Sequence, residues 1–311
     1  MAAAQTLQLL WSGVKNRVTV RQILFVAIVA LLACVGYIHF HQCPSSFSSQ
    51  NVCSLLKESR GDLTQASNRT RAWWEWACLI EKELDKGEEY KCWNLRNMGN
   101  WPVCFDSDYQ PKAPCLVYSF GINNDFRFDD AMAAEGCEVF SFDPSMGVGD
   151  HEHAKHVTFR ALGLSDHDSD TYQPNVDGYV NDIVTWKVRT LKSIRKMLGH
   201  ENRALDVLKM DIETYEWAVV KNLQDDGQLS SVRQLALEWH IFPTEPFRNH
   251  FSTMYQTMLD LKKIGFRQFY MSPWNRIHNI YYFNSQADNC LVNTMFQAPQ
   301  ETRSEERAPT G

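Results

Sequence analysis

No C-x-x-C pair occurs among the 9 cysteines of this 311-residue chain, so the usual frames for structural zinc and for dithiol redox chemistry are missing. The G-x-G-x-x-G turn is missing too, and with it the loop that grips the pyrophosphate of a dinucleotide. That weighs against a nicotinamide-dependent oxidoreductase. Dense Lys/Arg stripes with interleaved aromatics are absent and the formal net charge is −6, so nucleic acid is not an expected partner. No Asp or Glu stands before Glu58, whereas Lys15, Arg17 and Arg21 do.

Those three cations precede a continuous apolar run, ILFVAIVALLACVGYIHF, at residues 23–40. Wound as a helix, the run is long enough to cross about 30 Å of hydrocarbon, and the positive-inside rule keeps its basic side cytoplasmic. We therefore expect residues 1–22 as a cytoplasmic tail and 23–40 as a signal-anchor helix, with the rest translocated into the Golgi or ER lumen as a single-pass type II membrane protein. The alternative is a signal peptide cleaved near the small residues 33–36, followed by secretion. Of the cysteines, Cys34 lies in the run. The other eight are Cys43, Cys53, Cys78, Cys92, Cys104, Cys115, Cys137 and Cys290, an even number that suits disulfides in an oxidising compartment without fixing their pairing. Asn68-Arg69-Thr70 forms an N-glycosylation sequon usable only on the lumenal side.

Residues 41–69, rich in Ser and Gln, read as a stem, and 70–114 as a Cys/Trp-rich extension that begins with an amphipathic helix at 71–84. From 115 to 296, short apolar runs alternate with helical patterns, the mark of βαβ units. The fold class is α/β, a mostly parallel doubly wound sheet. Strands are expected at 115–120, 138–143, 157–162, 205–210 and 234–238, with helices at 126–135, 185–198, 213–223 and 250–264. Runs at 266–271 and 280–284 read as an antiparallel C-terminal strand pair, and 297–311 as a disordered tail.

Open α/β sheets bind ligands outside the carboxyl ends of their strands. Gly121 follows the first strand, where a missing Cβ lets the backbone approach a ligand. Asp143 ends the second, about 20 residues on, where a carboxylate can accept hydrogen bonds from ribose hydroxyls. A nucleoside cofactor without phosphates fits this pair. Asp211 leaves the fourth strand, with Glu213 starting the next helix, and His240 ends the fifth. Asp211 can hold an amino group, accept a hydroxyl proton or bind a divalent ion, and His240 can act as a base. The competing readings are a helix-capping Glu213 and a structural His240. His151, Glu152, His153 and His156 read as a solvated cluster, and no metal is expected.

The segments VYSFGINNDFRFDDAM (117–132), VFSFDPS (139–145), ALGLSD (161–166), LKMDIETYEW (208–217) and LALEWH (235–240) carry a resemblance over residues 72–296. The chain resembles the FkbM-like methyltransferases and, among them, the methyltransferase-like protein 24 group. The resemblance implies a Rossmann-like class I methyltransferase fold with S-adenosyl-L-methionine as donor and O-methylation of a small-molecule or glycan acceptor. It places Gly121 under the cofactor, Asp143 on the ribose and Leu164 with Ser165 beside the adenine, and it puts Asp211 and Glu213 in the active site. The chain departs from the family pattern in having one glycine in the first loop, and in carrying Thr214-Tyr215 where Gly-Ala is frequent. A methyltransferase fold kept as a non-catalytic lumenal interaction module is the alternative.

Overall fold

In a computed structural model, which describes Cys53 and residues 70–175, 180, 182–241, 247–273 and 286–298, the apolar runs become strands of one large sheet. The described residues all belong to the unit Val52–Gly311. Helix α1 (Trp73–Leu84) leads into the hairpin β1 (Leu95–Met98) and β2 (Trp101–Cys104). The core then begins with β3 (Cys115–Phe120), α2 (Arg127–Ala134), β4 (Cys137–Phe142), β5 (His151–Ala154) and β6 (Val157–Arg160). Three short strands follow, β7 (Gly163–Leu164), β8 (Ser169–Tyr172) and β9 (Trp186–Arg189), then α3 (Leu191–Leu198). The last elements are β10 (Leu205–Met210), α4 (Glu216–Asp225), β11 (Val232–His240), α5 (Phe251–Lys263), β12 (Phe266–Pro273) and β13 (Gln286–Asn293).

The 8-stranded sheet runs β12-β13-β11-β10-β3-β4-β6-β5. Strands β11, β10, β3, β4 and β6 are mutually parallel, while β13 and the edge strand β5 run against their neighbours. The chain moves outward from β3 through β4 to β6 and then returns to lay β10 on the opposite side of β3. The strand order therefore reverses between β3 and β10, where an open sheet leaves a crevice at its carboxyl edge.

Alternating side chains of β3 feed two cores. Leu116, Tyr118 and Phe120 join the cluster containing residues of α1, α3, α4 and α5, whereas Cys115 and Val117 join the one containing Phe128 and Met132 of α2. The second face differs from the expected doubly wound pattern. Among the described residues only α2 covers it as a helix, and Trp101 and Val103 of the β1–β2 hairpin also pack there, because a hairpin strand and not a helix links β4 to β6. Disulfides join Cys53 to Cys78, Cys92 to Cys104 and Cys115 to Cys137, the last tying β3 to β4. Cys290 is buried as a free thiol, and burial pushes its pKa well above the ordinary thiol value. Cys43 lies outside the described residues.

Three expectations shift, and a fourth falls outside the described residues. The helix expected at 185–198 is a strand, β9, followed by α3; Thr190 accepts a hydrogen bond from Ser193 N–H at 3.2 Å and so caps the helix where the β-branched residues end. Helix α4 starts at Glu216 and not at Glu213, since Glu213 (φ 52°) and Thr214 (φ 76°) are left-handed. The strand at 157–162 stops at Arg160. The expected strand at 280–284 lies outside the described residues, and β12 pairs instead with Gln286–Asn293. The anchor run 23–40, the sequon at Asn68 and the tail from 299 also lie outside them. Among the described residues no helix is long and apolar enough to cross a membrane.

Candidate active site

At the crevice beside β3, the small sheet β7-β9-β8 forms an outer wall and the ends of β3, β4 and β10 form the floor. The cleft holds about 1040 Å³ counting its open mouth. Gly121, Asp143, Leu164, Ser165, Asp211 and Glu213, all singled out from the sequence, line it together. Its walls are largely apolar, from Phe142, Pro144, Tyr172, Trp186 and Val188, and no Lys or Arg is among the described residues that line it.

Gly121 is needed for a reason the sequence does not reveal. Its φ is +77°, and a Cβ there would meet the Asp211 carbonyl oxygen at 1.7 Å. The missing side chain thus lets the ends of β3 and β10 cross, and the close approach is to this backbone and not to a ligand. Lys209, buried under the same crossing, donates from Nζ to the Gly121 carbonyl at 2.8 Å and to that of Phe120 at 3.3 Å.

Asp143 is likewise committed to the protein. One carboxylate oxygen accepts from the N–H groups of Ile122 (2.9 Å) and Asn123 (2.8 Å), and the other from Ser145 N–H (2.8 Å) and its hydroxyl (2.6 Å). A carboxylate offers about four acceptor positions, so these bonds fill them. A ribose hydroxyl would bind here by displacing Ser145, the exposed partner. Ser165 stands on the outer wall, where its N–H donates to the Arg189 carbonyl at 2.9 Å, beside the pairing of β7 with β9.

The opposite wall is built differently. His240, 1% exposed, ends β11 with Nδ1 2.9 Å from Oε1 of Glu216, whose side chain is 0% exposed. Its Nε2 lies 3.2 Å from Glu213 Oε2, 3.4 Å from Glu238 Oε1 and 3.9 Å from Asp211 Oδ1. Glu216 also accepts the Ile212 N–H at 2.7 Å, which locks the turn before α4. Four carboxylates therefore surround one imidazole. The histidine does not line the cleft, as a base beside the substrate would; Asp211 and Glu213 stand between it and the cavity.

Burial and the neighbouring Glu238 push the Asp211 carboxyl up to about 7, although Lys209 opposes the shift. Burial, with Asp211 and Glu216 adding to it, lifts Glu213 to about 8. For His240, burial favours the neutral ring, but the Glu216 carboxylate outweighs it and holds the imidazole well above its ordinary pKa. Such a group of titrating side chains at a cleft can exchange a proton near neutrality.

The sequence reading missed Tyr172, Trp186 and Val188 of the outer wall, along with Glu216 and Lys209. Alternation of Trp186 and Val188 is a strand signal, and a lysine inside the buried run LDVLKM marks an unusual charge; both were available. The His151–His156 cluster sits elsewhere. His153 stacks on Phe126 with ring centres 3.7 Å apart, and its Nε2 lies 3.5 Å from Asp130.

The mixed α/β sheet and its carboxyl-edge cleft define a methyltransferase-like fold. The chain belongs to a family described as a methyltransferase domain, whose match covers residues 64–286. Probable methyltransferase-like protein 24 of Homo sapiens is 31% identical over 147 residues, 45% of this chain and 38% of that protein. Its Rattus norvegicus counterpart matches with the same identity and coverage. The chain thus spans 38% of the length of these curated relatives. A crystal structure of a tryptophan-to-alanine mutant of the 16S rRNA (adenine(1408)-N(1))-methyltransferase from Catenulisporales acidiphilia aligns over 64% of this chain and 96% of that one. Its identity is 11% and its TM-score 0.28, too low to carry an argument.

Proposed function

We propose that the protein is an S-adenosyl-L-methionine-dependent O-methyltransferase of the Rossmann-like class I type, acting on a small-molecule or glycan hydroxyl in the secretory pathway. The observation that carries this reading is the charge of the cleft. Its apolar walls suit a nucleoside, no cation among the described residues lines it to bind phosphates, and two carboxyl groups, those of Asp211 and Glu213, face it. That lining rejects a dinucleotide and suits a cationic donor. The donor, when bound, supplies an electrophilic methyl group on a positively charged sulfur.

In this reading Leu164 and Ser165 border the adenine, and Asp143 holds the ribose once Ser145 yields. Glu213, kept protonated at neutrality by its raised pKa, would orient the acceptor hydroxyl and Asp211 would receive its proton as the oxygen–methyl bond forms and the methyl–sulfur bond breaks to leave S-adenosylhomocysteine. His240 positions both carboxylates from behind. Holding two reactants in line is worth several powers of ten in rate, so this wall need supply little more than geometry and a proton acceptor. Residues 23–40 anchor the chain, 41–69 form the stem, 70–114 brace the domain at 115–296, and the disulfides support an oxidising compartment.

Calorimetry of the full chain with S-adenosylhomocysteine is expected to show micromolar binding, and labelled donor should transfer its methyl to a glycan acceptor. Absence of binding overturns the reading. A second reading, a lumenal interaction module without catalysis, draws on the filled acceptor positions of Asp143. Under it, Ser145→Ala leaves cofactor affinity at zero, whereas a ribose-binding Asp143 gains a vacant position and binds more tightly.

A further inference from the structure

We infer that Asp211, Glu213 and His240 form a site for one divalent first-row cation of the manganese type, at the inner end of the cleft. The cation's catalytic use rests on the methyl-transfer reading; its binding does not.

One ligand atom from each residue lies within 4.8 Å of the others. Bonds of about 2.1 Å to a common centre put neighbouring ligands about 3 Å apart and opposite ones about 4.2 Å apart, so small adjustments bring all three into contact. The separations of 3.2 Å and 3.9 Å from Nε2 to Glu213 and Asp211 fall in that range. Glu238 Oε1, 3.4 Å from the same nitrogen, is placed as a fourth ligand. Two or three oxygens with one imidazole suit manganese, iron or zinc better than calcium, which prefers oxygen alone.

Three further observations point to a cation. Glu213 Oε2, 3.2 Å from Nε2 of His240, is shut off from solvent and has no hydrogen-bond partner of good geometry. Buried acceptors without partners are rare and call for an ion or water. The Lys209 ammonium, which opposes the rise of the Asp211 pKa, is already engaged by the carbonyls of Phe120 and Gly121. Finally, Glu216 meets Nδ1 of His240, the arrangement by which a carboxylate orients a histidine so that Nε2 faces a metal. Asp211 and Glu213 are 29% and 27% exposed on the cleft side, which leaves the cation open to an acceptor oxygen. The other compact trio, Cys92, Cys104 and Asp106, has both sulfurs in a disulfide and offers no thiolate.

The test strips the purified full chain with a chelator, adds Mn²⁺ and follows the loss of its free-ion spin-resonance signal. One Mn²⁺ per chain is expected. Glu213→Gln removes a ligand and Glu216→Gln the orienting acceptor, and each should weaken Mn²⁺ binding at least about tenfold while the circular dichroism stays unchanged. Should one variant misfold, the other decides. No stoichiometric Mn²⁺, or affinity unchanged in a folded variant, overturns the site and leaves the cluster as an imidazolium among carboxylates. S-adenosylhomocysteine calorimetry on the same samples separates the two proposals: Mn²⁺ bound without it sinks methyl transfer and upholds the cation, and the reverse result sinks the cation alone.

Discussion

Asp143 and Asp211 stand at the carboxyl ends of strands that flank β3 on either side, line the same cleft, and are treated in opposite ways. Around Asp143 the backbone offers N–H groups and Ser145 a hydroxyl, so the charge is matched by four donors. Around Asp211 the neighbours are Glu213, Glu216 and Glu238, with a single imidazole among them, and burial lifts its pKa to about 7. A buried carboxylate met by donors stabilises a loop. One crowded by other carboxylates destabilises the fold, and selection keeps it only where something transient, a proton or a cation, is to be held. The β3–β4 half of the cleft thus meets its carboxylate with donors, and the β10–β11 half gathers titrating carboxylates around one imidazole.

The sharpest way to break that contrast is at the crossing both halves share. Gly121→Ala forces a Cβ onto the Asp211 carbonyl at 1.7 Å, in a left-handed conformation that already disfavours a side chain. We expect a loss of about 4 kcal/mol in chemical denaturation, near the upper end for a point substitution. A loss below about 1 kcal/mol would show that the two strand ends are not in contact in solution. Asp143→Ala comes next. It strands two N–H groups of the β3 loop and should remove about 3 kcal/mol, since hydrogen bonds to charged groups are each worth roughly 1.5–3 kcal/mol. Asp211→Asn in the same assay should be neutral or stabilising, and an equal loss at both positions would erase the contrast.

The meeting of Gly121, Asp143, Asp211 and Glu213 in one cleft was legible in the sequence because it depends on residue type at strand ends, whereas Leu164 and Ser165 were reached only through the family resemblance. The central strands were legible from their composition, since β3 and β10 are buried along their whole length and read as mainly apolar runs broken only by Ser119, Asp206 and Lys209. What was not legible depends on partners far apart in sequence. Trp186-Lys187-Val188-Arg189 is half exposed and short, and only pairing with β7 and β8 makes it a strand and a cleft wall. The role of His240 was hidden because Glu216, 24 residues earlier, turns the ring toward the carboxylates. Gly121 was found for a reason that does not apply, as the close approach it permits is to Asp211.

A third buried carboxylate sharpens the comparison from outside the cleft. Asp129, in the first turn of α2, accepts from the Ser141 hydroxyl at 2.5 Å, yet burial dominates and raises its pKa to about 6 from 3.8. The folded state therefore holds this proton more tightly than the unfolded chain does. Its contribution to stability is complete below about pH 4 and is lost as the pH rises through about 6, amounting to about 3 kcal/mol by linkage. Asp129→Asn should remove that decline and leave the variant about 1–2 kcal/mol more stable than the parent at pH 7, with little difference at pH 4. Parallel denaturation curves for the two proteins across this range would show that a single buried acid with one donor behaves like Asp143 and not like Asp211.

The smallest expected effect lies in the turn that presents the carboxylates. Glu213 and Thr214 are consecutive left-handed residues, at φ 52° and 76°, and a β-branched side chain is poorly tolerated there. The turn is held because Glu216 accepts the Ile212 N–H and the Lys209 ammonium fixes the strand end beside it. Strain of this kind costs about 1–3 kcal/mol and concentrates at functional sites. Thr214→Gly relieves it in the folded state but adds freedom to the unfolded chain, so the net gain should be about 1 kcal/mol, read as a rise in the denaturation midpoint. If the strain serves to aim Glu213 into the cleft, the same variant should lose affinity for the acceptor while keeping that for S-adenosylhomocysteine. A gain in stability with acceptor binding unchanged would make the turn a mere irregularity of the β10–α4 junction, and the functional half of the cleft would reduce to the charge cluster alone.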